Sequence, residues 1–103
     1  MSKPKAIWML PAGPMQKPFV DKIKERGYKA IVSDGASDAY CKEFADEYVQ
    51  VDPYDLPGNV RAAKELSERY DIQAVLTGGS DCCEAPALMA KELGIHGVNP
   101  EIA

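Results

Sequence analysis

Apolar strand-like runs and amphipathic helical runs alternate four times along this 103-residue chain, the connections between them are short, and the first strand is apolar on both of its faces. These three observations predict an α/β domain, residues 1–103, whose parallel sheet is covered by helices on both sides. Right-handed crossovers set the order of the four main strands at 3-2-1-4, half of a doubly wound fold, and place the topological switch point between strands one and four.

Lys5 to Leu10 is the first strand, broken by Pro11-Ala12-Gly13-Pro14. Met15 to Arg26 is the first helix: Met15, Phe19 and Ile23 recur at i, i+4 and i+8, Pro18 falls in the first turn where its missing N–H costs little, and Gly27 closes it. Tyr28 to Ser33 is the second strand, ended by Asp34-Gly35. A short helix over Asp38 to Ala45 leads to the third strand, Glu47 to Val51. After the turn Asp52-Pro53-Tyr54-Asp55, Pro57 or Gly58 opens a long helix with Val60, Ala63, Leu66 and Tyr70 along one stripe. Ile72 to Leu76 is the fourth strand, and Asp81 caps a third helix, Cys82 to Leu93, that Gly94 ends.

Hydrophobic residues make up 46% and charged residues 27% of the chain, the balance of a soluble globular domain. No apolar run approaches the roughly 20 residues of a membrane span, and Ala6 to Leu10 is too short for a signal core, which points to the cytosol. A net charge of −4 argues against a nucleic-acid partner, which needs a basic face, and Lys17, Lys22, Lys24 and Arg26, interleaved with Asp21 and Glu25 on one helix, read as a solvated face rather than a phosphate patch. Three cysteines and one histidine without paired spacing build neither a disulfide framework nor a zinc site.

Chemistry in such a sheet belongs to the crevice beyond the carboxyl ends of its strands. Here that means Pro11 to Met15 and Thr77 to Glu84, the second loop reading TGGSDCCE. A Rossmann-like dinucleotide site would use Asp34, 21 residues after Gly13, on a ribose hydroxyl, but PAGPMQKP holds one glycine where that site needs three, and turn opening explains the acid equally well. No P-loop lysine follows Gly78-Gly79. Asp81 and Glu84 form a capping box, or Glu84 turns into the crevice toward a substrate amine or hydroxyl. Cys82 and Cys83 lie at a helix start, but His96 follows the third helix, toward the opposite edge of the sheet, so no base serves a cysteine nucleophile. Trp8 reads as core, and Gln16, at a helix start beside Gly13, as a substrate contact.

The runs MLPAGPMQKPFVDKIKERGYKAIVSDG, ADEYVQVDPYDLPGN and DIQAVLTGGSDCCEAPALMAKELGIHGVNPEIA together resemble the N-terminal domain of ATP-grasp enzymes, the group of the carbamoyl-phosphate synthetase large chain, biotin carboxylase and the purine ribonucleotide ligases. Its most specific parts are Gly13-Pro14-Met15-Gln16, Ala45 to Val49 and Gly97 to Glu101. The resemblance implies a Rossmann-like domain on the substrate side of a carboxylate-amine ligase working through an acyl phosphate, with ATP and magnesium held by later domains of the parent chain and no cofactor or metal held by this one. It implies substrate contacts at Gly13, Pro14, Met15 and Gln16 on one loop and at Gly79, Ser80, Asp81 and Glu84 on the other. Two other readings compete: a stand-alone small-molecule or dinucleotide-binding module using Asp34, and an oligomer contact through Ala85, Leu88, Met89, Ala90 and Leu93.

Overall fold

The computed structural model describes residues 3–77 and 84–98. Five strands, β1 (Lys5–Leu10), β2 (Lys29–Asp34), β3 (Glu47–Gln50), β4 (Asp71–Thr77) and β5 (His96–Val98), form one parallel sheet in the order β3-β2-β1-β4-β5. Helices α1 (Lys17–Glu25), α2 (Leu56–Leu66) and α3 (Glu84–Leu93) make the crossovers. The predicted order 3-2-1-4 stands, extended by one strand. β5 has three residues, too few to carry an alternating pattern; pairing with β4 is what makes it a strand. His96 heads it in register with Ala74, at mid-height of the sheet rather than at its edge.

The sheet separates two cores. On one face Trp8, Leu10, Ile31 and Val75 pack under Ala62, Ala63 and Leu66 of α2 and Met89 of α3. On the other, Met9, Ala30 and Val32 pack under Val20 and Ile23 of α1 and under Cys41. β1 buries side chains into both cores, which is why its sequence is apolar without alternation. With α1 on one face and α2 and α3 on the other, the change of face falls between β1 and β4.

The first helix begins later than its periodicity predicts. Pro14 to Gln16 form a 3₁₀ turn, in which Gln16 N donates to Gly13 O at 3.0 Å and Lys17 N donates to Pro14 O, and α1 runs from Lys17. Pro18 has no N–H to give to Pro14 O, so the tighter i to i+3 pattern completes the entry. Met15 therefore leaves the buried stripe, 66% exposed, and Val20 takes its place at the sheet. The helix expected over Asp38 to Ala45 is a 3₁₀ turn at Tyr40–Phe44. α2 starts at Leu56, where Asp55 accepts the Gly58 N–H at 3.0 Å. Gly27 and Gly94, at φ 86° and 69°, end α1 and α3 in the left-handed conformation that glycine adopts without strain.

Met89 and Ala90 are spent on the protein's own core, leaving Leu88, 38% exposed, as the large apolar residue of α3 open to solvent. Two of the five residues read as an oligomer contact, Met89 and Ala90, are thus turned inward. Among the described residues no helix is long and apolar enough to cross a membrane.

Candidate functional site

The carboxyl ends of β1 and β2 are joined by a closed set of hydrogen bonds. The Asp34 carboxylate, at the end of β2, accepts from Ala12 N at 2.9 Å and from Ala36 N at 3.2 Å. Cys41 N donates to Ala12 O at 2.9 Å, and the Cys41 thiol to Gly13 O at 3.2 Å. Gly13 N donates to Gln16 Oε1 at 2.9 Å. The loop after β1 thus has its amides and carbonyls at Ala12 and Gly13 held by the protein itself, which orders a segment that proline and glycine leave without regular structure. A Cβ at Gly13 would stand 3.2 Å from Gln16 Oε1, so the glycine provides room for this contact at an ordinary φ of −85°.

Asp34 is consequently occupied by the turn. Both carboxylate oxygens are engaged by loop N–H groups, the turn-opening role rather than the ribose role. Gln16 is 3% exposed and folds its carbonyl back on Gly13. What this loop presents to solvent is Pro14 and Met15, with Tyr40 and Tyr54, 49% and 71% exposed, on the loops after β2 and β3. Of the second predicted loop, Gly79, Ser80 and Asp81, with Gly78, Cys82 and Cys83, lie outside the described residues, and Glu84 enters only as the first residue of α3.

Four residues that sequence reasoning did not single out hold this edge. Ser33 Oγ accepts the Trp8 indole N–H at 2.8 Å, both residues fully buried; a serine in an apolar strand beside a tryptophan strand was the available signal. Cys41 stands against the β1 loop, and burial pushes its thiol up from the ordinary range. Asn59, in the first turn of α2, donates from Nδ2 to Asp52 O at 3.0 Å and to Asp55 O at 2.8 Å, pinning the loop after β3. Its Oδ1 is buried with no partner among the described residues. Tyr48 OH donates to Asp34 O and Ala36 O, and burial raises its phenol as well.

Among the described residues, no three His, Cys, Asp or Glu side chains converge as metal ligands would. A cavity of about 440 Å³ lies at the opposite, amino edge of the sheet, lined by Lys3, Ser67, Tyr70, Asp71, Ile72, Leu93 and Ile95. The C-terminal ends of α2 and α3, at Ser67 and Leu93, border it. In an open parallel sheet the crevice beyond the carboxyl ends of the strands is where ligands gather, and that edge is the candidate site.

Parallel order, switch point and a single-glycine first loop define a Rossmann-like half-domain whose phosphate-cradling fingerprint is absent from the β1 turn. No family model and no curated protein matches the sequence. The fold is similar to that found in N5-carboxyaminoimidazole synthetase from Staphylococcus aureus: the crystal structure complexed with ADP aligns over 92% of this chain and 23% of its own, with TM-score 0.66 and 19% identity. A second crystal structure of that synthetase aligns over 73% of this chain and 18% of its own, with TM-score 0.56 and 23% identity. The chain thus spans less than a quarter of the synthetase's length. At these identities the likeness establishes the shared fold.

Proposed function

We propose that the chain is the N-terminal, substrate-side domain of an ATP-grasp carboxylate-amine ligase. In this reading the ligase works through an acyl phosphate, its nucleotide and magnesium are held by other domains of a longer polypeptide, and the acceptor amine meets the carboxyl-edge crevice. The observation that carries the reading is that motifs spread over nearly the whole chain resemble that class, supported by a fold shared over 92% of the chain with part of a synthetase complexed with ADP. The internally satisfied β1 loop supports it, because a wall braced by Asp34, Cys41 and Gln16 suits a rigid acceptor subsite and has no amides at Ala12 or Gly13 left for a pyrophosphate.

The test is calorimetric titration of this polypeptide with ATP and magnesium, alongside amide NMR with a panel of ribonucleotide and amino-acid amines. No heat from ATP is expected, with amine-induced shifts confined to Gly13 to Gln16 and the segment after β4. Micromolar ATP affinity, or shifts produced by NAD in place of the amines, would overturn the reading.

A further inference from the structure

The large hydrophobic side chains left exposed among the described residues are Met15, Tyr40, Tyr54 and Leu88. All but Leu88 stand on the loops after β1, β2 and β3, at the edge of the sheet where ligands gather. Met15 and Tyr40 are on two loops stitched together: Cys41, next after Tyr40, donates through its N–H to Ala12 O at 2.9 Å and through its thiol to Gly13 O at 3.2 Å. The Tyr40 ring rests against Phe44 at 5.6 Å between centroids, and Lys17 Nζ covers the Phe44 ring at 4.6 Å, so this aromatic surface is set before a ligand arrives. The same stretch is poor in groups that hold an anion. From Ala12 to Pro18, the N–H groups of Ala12, Gly13, Gln16 and Lys17 are engaged by the protein, and Pro14 and Pro18 have none. Lys17 Nζ pairs with Asp21 at 2.8 Å, and the Asp34 carboxylate stands beside Ala12.

We propose that Met15 and Tyr40 are the specificity-determining contacts of the acceptor subsite, and that the acceptor is an amine with an apolar, ring-bearing body and no phosphate against the β1 loop. This specificity rests on the ligase reading and narrows it to one kind of amine. A planar ring would lie against the Met15 thioether and the Tyr40 ring, where sulfur and π-faces favour it. A phosphate in the same place would meet committed amides, a paired lysine and a nearby carboxylate, and would lose water without gaining donors.

The test titrates L-phenylalanine, L-serine and O-phospho-L-serine, three amines alike except in the side chain, into this polypeptide and follows its amide resonances, the Met15 methyl and the Tyr40 ring by NMR. Phenylalanine is expected to bind more tightly than the other two and to shift both residues. Met15→Ala, at a side chain 66% exposed, should leave Tm unchanged and weaken phenylalanine at least about threefold, while Met15→Leu stays within about twofold of the parent. Preference for phosphoserine, no response to phenylalanine, a response that leaves Met15 and Tyr40 unmoved, or an affinity indifferent to Met15→Ala would overturn the proposal. So would Met15 shifts that follow protein concentration without ligand, which make a second copy the occupant. None of these outcomes involves ATP, whereas micromolar ATP affinity overturns the ligase reading by itself, so the two failures are told apart.

Discussion

Replacing Asp34 by alanine separates a brace from a ligand-binding acid. The substitution removes the acceptor of two loop amides. Ala36 is exposed and its N–H turns to water at little cost, whereas Ala12 is fully buried and its N–H loses a carboxylate partner at 2.9 Å. A buried donor stripped of its partner costs about 1–3 kcal/mol, so the expected loss is about 2 kcal/mol. For a domain of this size that corresponds to a fall in Tm of about 8–16 °C. Asp34→Asn keeps one carbonyl oxygen for one of the two amides and should lose roughly half as much. Urea titration measures the loss, with the m-value unchanged if the denatured state is unaffected. Amide exchange should quicken at Ala12 and Gly13 while Trp8 and Val32 stay protected. Unchanged stability combined with loss of saturable NAD binding would refute the reasoning and return Asp34 to a ribose.

Other substitutions test neighbouring parts of the same frame. Ser33→Ala should cost about 1–3 kcal/mol by stranding the buried Trp8 indole N–H, and Trp8→Phe added to it should give a coupling energy different from zero in a double-mutant cycle followed by urea titration. Gly58→Ala should be neutral or destabilising, because its Cβ would fall 2.3 Å from Asp55 Oδ2 and displace the cap; in an Asp55→Ala background the same change should stabilise by up to about 1 kcal/mol, a reversal of sign that thermal melts will register. Burial raises the phenols of Tyr48 and Tyr70, so the folded protein binds more protons than the unfolded chain above the ordinary tyrosine range. Their stabilisation should be fully present below pH about 10 and be lost as pH climbs through the raised values; Tyr48→Phe should flatten that decline in alkaline melts.

Much of the architecture was legible because it depends on local signals. Gly27 and Gly94 mark helix ends by a conformation that needs no neighbour, and an apolar strand such as Lys5 to Leu10 announces burial on both sides. Met15 misled because periodicity registers spacing but not the missing Pro18 N–H that turns the entry into a 3₁₀ turn. β5 escaped because a three-residue strand exists through its partner. At the candidate site, Asp34 and Gln16 were visible as residue types in the right loops; that each is turned onto the β1 loop was not.

By itself the sequence determined the α/β class, the order of the first four strands and the edge at which the strand-end loops gather, since periodicity, turn chemistry and crossover handedness are properties of short stretches of chain. Tertiary structure alone decided what those loops do with their polar groups. Trp8 meets Ser33 25 residues away and Ala12 meets Asp34 22 away. That α1 lies on one face while α2 and α3 share the other appears only when the five strands lie side by side. Such pairings are set by which faces come together, and spacing along the chain carries no record of that.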